Sequence, residues 1–183
     1  MLFNTIGTER LSLREIDKED FACIHSYASD SEVSKYLSWG PNNEVDTQDF
    51  LDEVMKYQLD SPRNDYEIAV LTREDNHLIG ACSIHISNPY NREGWIGYNY
   101  YKQYWRNGYA SEAAKVIIEF GFKDLHLHRI FATCDSYNIG SAKVLEKIGM
   151  KWEGHLREHK WQKGKWRDSF LYSILEHEYE NNL

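Results

Sequence analysis

Apolar and polar residues alternate across 9–16, where Leu11 and Leu13 share one face and Ile16 falls one step out of phase. That spacing predicts a half-buried first strand. The period then changes. Phe21, Ile24, Tyr27 and Ala28 form a helical stripe behind Asp17, which stands where a cap belongs. Residues 38–43 contain Gly40 and Pro41 and read as a loop. A second helix is predicted to start at Asp46 or Thr47, with Phe50, Leu51, Val54 and Tyr57 at helical spacing. It should stop near Ser61 and Pro62, because the residue before a proline is pushed out of the helical region.

The middle of the chain is strand-like: 66–71 and 78–86 flank a polar turn at 73–77, and 95–101 follows a second turn at 88–94. Over 108–122 the spacing of Ala110, Ala113, Ala114, Ile117, Phe120 and Gly121 returns to a helical period. A short buried strand is predicted at 129–134, then a helix at 138–148 with Ala142, Leu145 and Ile148 on one face. Gly149 suits its left-handed C-terminal cap. Two final strands, 151–159 and 166–175, turn at Gly164. The order β-α-α-β-β-β-α-β-α-β-β is mixed, which argues for an α+β domain rather than a regular βαβ repeat. No repeat or linker interrupts it, so 1–183 is read as a single domain.

Composition narrows the function classes. The formal net charge is −8, which disfavours non-specific nucleic-acid binding, since that relies on Lys and Arg neutralising phosphates. A negative field favours cationic substrates such as amines instead. Three widely spaced cysteines, Cys23, Cys82 and Cys134, form no zinc or redox motif. They fit a reducing, cytoplasmic setting. No apolar run is long enough to span a bilayer, and no apolar leader opens the chain. His155 and His159 fall on a predicted strand, so no metal site is expected.

The chemistry concentrates in 95–114, W-I-G-Y-N-Y-Y-K-Q-Y-W-R-N-G-Y-A-S-E-A-A. A strand enters a tight turn and a helix opens at Gly108. Free N–H groups and partial positive charge at a helix start favour an anion, commonly phosphate. Gly108 lets a ligand approach the backbone, Ala110 keeps the approach open, and Ser111 adds a hydroxyl. Equally, Gly108 could merely start a helix packed on a sheet. Neither nucleotide-binding glycine motif is present.

The run W-R-N-G-Y-A-S-E-A resembles the acetyl-CoA pyrophosphate loop of the GNAT acetyltransferase superfamily. It is closest to the branch typified by RimJ and RimL, which acetylate N-termini of ribosomal proteins. A second block, N-I-G-S-A-K-V-L-E-K-I-G-M from Asn138, is similar to the family's N-x-x-S-x-x-V-L-E-K-L-G-F. The opening T-E-R-L-S-L-R and the stretch from Glu153 to Tyr172 also fit, so the resemblance covers nearly the whole chain. Trp105 stands where the family has Gln or Arg, Arg106 where Gly is frequent, and Trp95 where relatives often carry a Glu.

The resemblance implies a GNAT fold, a mixed and mostly antiparallel sheet with helices on both faces. It implies acetyl transfer from acetyl-CoA to a primary amine, on a protein N-terminus or a small molecule. Tyr100, Tyr101, Arg106, Asn107, Gly108, Tyr109, Ala110, Ser111 and Asn138 would bind the cosubstrate. Ser141 would donate to the leaving sulfur. Asn138 also suits a helix N-cap, and Ser141 a solvated first-turn position. The family's strand Glu aligns with Lys160, so Glu158, two residues earlier and thus on the same strand face, is the candidate base. A water chain is the other option. Trp39, Trp161 and Trp166 would wall an acceptor slot, or serve as ordinary packing. A homodimer fits the family. The competing reading is a non-catalytic acyl-CoA-binding module or sensor.

Overall fold

The computed structural model describes residues 3–180; the remaining ends of the predicted domain, 1–2 and 181–183, lie outside the described residues. The strands are β1 (Ile6–Gly7), β2 (Leu11–Glu15), β3 (Asp65–Thr72), β4 (Leu78–Asn88), β5 (Glu93–Tyr100), β6 (Arg129–Asp135), β7 (Lys151–Gln162) and β8 (Lys165–Leu175). The helices are α1 (Phe21–Ala28), α2 (Glu44–Tyr57), α3 (Tyr109–Lys123), α4 (Ile139–Lys147) and α5 (Glu176–Glu180). The strands form one sheet in the order β1-β2-β3-β4-β5-β6-β8-β7. All neighbours pair antiparallel except β5 and β6, which run parallel. This is the predicted α+β class and the GNAT architecture.

Side-chain alternation gives the sheet two faces. Tyr66, Ile68, Ile84, Ile96, Ile130 and Ile174 point to the side covered by α3 and α4, where they join Ala113, Ile117, Ile118 and Leu145 in the larger core. Ala69, Leu71 and Ala81 point the other way and pack with Ile24, Leu51 and Val54 of α1 and α2. Burying each large aliphatic residue stabilises the fold by about 1.5–3 kcal/mol. Helix α3 lies close to the sheet because Gly121 has no side chain. A Cβ there would sit 2.6 Å from both Ile84 and Ile130. A guanidinium is buried at the sheet's edge, where Arg63 meets Glu15 at 2.7 Å.

The element boundaries show local causes. Helix α2 starts at Glu44, two residues before the predicted position, because Asn43 caps it. Asn43 accepts from the Asp46 N–H, and Asp46 accepts from the Asn43 N–H. The helix ends at Tyr57, before Ser61 and Pro62. Two elements were not foreseen. Strand β1 has only two residues, too few for any periodicity, and α5 is a single short turn of helix after β8.

The feature that positions the site is a break between the parallel strands. β5 and β6 pair only at Glu93–Arg129, Gly94–Ile130 and Trp95–Phe131. Beyond these, β5 continues on β4 to Tyr100, and β6 continues on β8 to Asp135. The facing edges of β5 and β6 therefore splay apart, and their backbone groups have no strand partner across the gap.

Candidate active site

A cavity of about 1260 Å³ fills the gap and passes from one sheet face to the other. On the α4 side it is lined by Tyr98, Cys134, Asn138 and Ser141. On the α2 side it is lined by Trp39, Glu53, Asp65, Glu67, His85 and Trp95. One opening through the sheet thus joins two chemically distinct chambers.

Helix α4 supplies the first chamber. Asn138 is its N-cap, with Oδ1 accepting the Ser141 N–H at 3.1 Å. Ser141 Oγ lies 2.8 Å from the Tyr98 hydroxyl, which also donates to the Ser141 carbonyl at 3.1 Å. Burial raises the Tyr98 phenol above its ordinary pKa, so it stays protonated. Burial also pushes the Cys134 thiol up, to about 11, which keeps it from being a thiolate at neutral pH. The Tyr98 side chain was not singled out in the sequence. Its alternation with Ile96 and Tyr100 placed it on a buried face, and only the packing of α4 brings Ser141 onto it.

The loop before α3 forms an anion-receptive corner. Gly108 is the helix N-cap at φ +83, and no side chain caps the first turn. The N–H groups of Tyr109, Ala110 and Ser111 precede the first helical bond, which runs from Glu112 N–H to the Gly108 carbonyl. Arg10 and Lys147 flank the glycine: a Cβ there would lie 3.5 Å from Arg10 Nη2 and 3.9 Å from Lys147 Nζ. Arg10 is held by Glu112 at 2.6 Å and donates to the Asn107 carbonyl at 3.0 Å. Trp105 donates its indole N–H to the Tyr100 carbonyl at 2.8 Å, tying the loop to β5. The unusual Trp105 therefore acts as a structural tie. Helix α4 joins this corner to the cavity, since Ser141 and Lys147 are six residues, about 9 Å, apart along it.

Other predicted site residues are placed differently. The Tyr100 side chain is buried in the larger core. Tyr101 donates to the Cys23 carbonyl at 2.6 Å, against α1. Neither side chain lines the cavity. Arg106 and Asn107 are exposed, and Arg106 takes a positive φ of 64. Trp161 and Trp166 are exposed and pack on each other at the β7–β8 tip, with centroids 5.4 Å apart, while Trp39 does line the cavity.

Glu158 requires the main correction. Between Leu156 and Lys160 the β7 register slips: three residues on β7, 157–159, stand opposite the single Asp168 on β8. Glu158 sits on that bulge at φ 49, its N–H bonded to Asp168 Oδ1 at 2.8 Å. The bulge cancels the assumed alternation. Glu158 is exposed and outside the cavity lining, whereas His159 and Lys160 both line it. Lys160 reaches Thr133 Oγ1 at 3.2 Å, and burial lowers its pKa.

The second chamber is acidic. Asp46, Asp49 and Glu53 line it from one face of α2, opposite the buried Thr47, Leu51 and Val54. Beneath them His85 Nδ1 is 2.7 Å from Asp65 and His85 Nε2 is 3.3 Å from Glu67. Trp95 stacks on the imidazole at 4.0 Å. Burial raises the Glu67 carboxyl above its ordinary range. For His85, burial pulls the pKa down, but the hydrogen bonds and charges of Glu67 and Asp65 outweigh it and leave it raised. This cluster is not legible in the sequence, because it depends on cross-strand register. Among the described residues no three His, Cys, Asp or Glu groups are arranged to hold a metal.

Comparison with known proteins bears on the family and the fold. Residues 10–151 match the acetyltransferase (GNAT) domain family. The chain is 37% identical over 176 residues to an uncharacterised N-acetyltransferase, YnaD, of Bacillus subtilis, covering 95% of this chain and 98% of the relative. A crystal structure of a GNAT-family acetyltransferase from Bacillus anthracis superposes with a TM-score of 0.84 at 34% identity, covering 95% of this chain and 99% of that one. The fold is shared with a spermidine N-acetyltransferase from Vibrio cholerae, solved with CoA and spermine, at TM-score 0.82 and 22% identity. Coverage there is 95% and 100%.

Proposed function

The chain belongs to the GNAT acetyltransferase family, and on that premise we propose that it transfers an acetyl group from acetyl-CoA directly to a primary amine. The observation that carries this reading is the joined pair of chambers at the β5–β6 gap. The thioester enters from the α4 side and the amine from the α2 side, and they meet where the strands part.

The residues present fit acetyl-CoA. The uncapped start of α3, with Gly108 and the cations of Arg10 and Lys147, receives the pyrophosphate. The unpaired edge of β5 offers backbone groups to the extended pantetheine arm, much as a strand would pair there. The Asn138 amide, whose oxygen caps α4, keeps its NH2 group for the same arm. Cosubstrate binding thus rests on the backbone of 108–111 more than on Arg106 or Asn107.

Three events then need support. The amine must be uncharged to attack, the carbonyl oxygen gathers charge, and the CoA sulfur leaves. Ser141 donates to the departing sulfur, and Tyr98, protonated and 2.8 Å away, resupplies the hydroxyl proton. The Lys160 ammonium lies on the β6 side of the gap and favours the developing negative charge. The acidic α2 chamber favours an amine that arrives as a cation. The spermidine acetyltransferase that shares the fold is a precedent for such an acceptor.

The direct test is calorimetric titration with acetyl-CoA. The wild-type chain should bind saturably, and Gly108→Glu should not, because it combines a disfavoured φ with a negative charge at the phosphate corner. Equal binding by both would remove the loop from the reading.

A further inference from the structure

We propose that Glu67 is the proton acceptor for the incoming ammonium, with His85 and Asp65 as its positioning residues. The proposal rests on the acetyl-transfer reading above and fills a step that no residue yet carries, since Glu158 lies outside the cavity and Trp95 occupies the strand position where relatives often place a Glu.

Sheet register makes the case. Asp65, His85 and Trp95 are direct cross-strand partners and form one row. Glu67, Ser83 and Gly97 form the next row on the same face. Ser83 and Gly97 carry little side chain, so within this row only the Ser83 hydroxyl stands between Glu67 and the β5 edge. A Cβ on Gly97 would come within 3.1 Å of Ser83 Oγ. The two strand spacings amount to about 10 Å, so the proton would pass over Ser83 and Gly97 along a chain of waters rather than directly. Trp95 stacks on His85 in the neighbouring row and its ring reaches the Gly97 position, where a Cβ would lie 3.5 Å from Trp95 Cζ3, so it walls the Glu67 row on one side.

The groups facing Glu67 are Asp65 on its own strand, His85 on β4, Glu53 and Tyr57 on α2, and Tyr27 on α1. Only His85 brings a positive charge among them. Burial holds the Glu67 proton affinity above that of an ordinary carboxylate, against the lowering effect of His85, which makes it a stronger base than a solvated Glu. His85 spans the two carboxylates and fixes the Glu67 side chain. His159, the histidine that lines the cavity from β7, has its pKa lowered by burial and by the Lys160 charge, and the same charge repels an ammonium.

The step balances as follows. The ammonium gives one proton through water to Glu67 and attacks the thioester carbonyl with the freed lone pair. The carbon–sulfur bond breaks, and the sulfur takes a proton through Ser141. The nitrogen's second proton restores the Ser141–Tyr98 pair, and Glu67 releases its proton to solvent.

The test compares Glu67→Gln, His85→Gln and His159→Gln with the wild type, using spermidine and an alanine-leading peptide as probe amines. Amine-dependent thiol release is followed from pH 6 to 10, and acetyl-CoA binding is measured on every variant. We expect Glu67→Gln to lower kcat/KM about 10²–10⁴-fold at neutral pH. The deficit should shrink as pH approaches the pKa of the amine. Acetyl-CoA affinity should hold, which also shows that the variant is folded. His85→Gln should displace the acid limb of the profile without abolishing turnover. A Glu67→Gln profile that overlays the wild type overturns the proposal, as does a lost limb in His159→Gln alone. Failure of the wild type to bind acetyl-CoA would instead overturn the acetyl-transfer reading beneath it.

Discussion

Gly108 carries two constraints at once: a backbone at φ +83 and open space between Arg10 and Lys147. A larger residue there meets both strain and the space a phosphate would need, so we expect it to weaken acetyl-CoA binding. Ser141 is constrained differently. Its Oγ is already paired with Tyr98, so replacing it removes a donor without opening a large void. We expect Ser141→Ala to lower kcat by about 10²-fold while leaving acetyl-CoA affinity near wild type, as read by steady-state kinetics beside calorimetry. Tyr98→Phe should give a smaller loss in kcat, because Ser141 still reaches the sulfur. Asn138 and Ser141, both on the cavity lining, were legible through the resemblance of their block to the family's pattern rather than from spacing alone. Glu67 was not, because a carboxylate in a strand looks solvated until its neighbours across the sheet are known.

At the scale of elements, helices proved the easier part to read. Caps and stripes are local, so α3 and α4 fell within about two residues of expectation. Strands were found but not their alignment. Register depends on turn geometry and on pairing with distant segments. The slip in β7 at 157–159 is such a case: nothing in L-R-E-H-K marks a bulge, yet it moves Glu158 out and His159 in. The β5–β6 gap is likewise a property of pairing rather than of either strand's sequence. Its β5 flank is held in place by close backbone contact, since a Cβ on Gly80 would lie 2.3 Å from the Asn99 carbonyl oxygen. Gly80→Ala should therefore destabilise the fold by about 1–3 kcal/mol in urea unfolding and weaken acetyl-CoA binding by shifting β5.

Over the whole molecule, the net charge of −8 is distributed with effect. Cations gather at the start of α3, where a phosphate would sit, and carboxylates gather around the α2 chamber, where an amine would enter. The acceptor should therefore feel ionic strength. We expect KM for a polycationic amine such as spermidine to rise several-fold as salt increases past physiological strength, where the Debye length falls to about 8 Å, with little change for a neutral-bodied peptide amine.

The reading of a transferase, as opposed to a binding module, is tested most directly by incubating the protein with acetyl-CoA and a panel of N-terminal peptides, polyamines and aminoglycosides. Thiol release and the mass of each amine are followed together. We expect amine-dependent thiol release matched by an amine one acetyl group heavier. Saturable acetyl-CoA binding with no amine-dependent release from any member of the panel would contradict transfer and favour an acyl-CoA sensor.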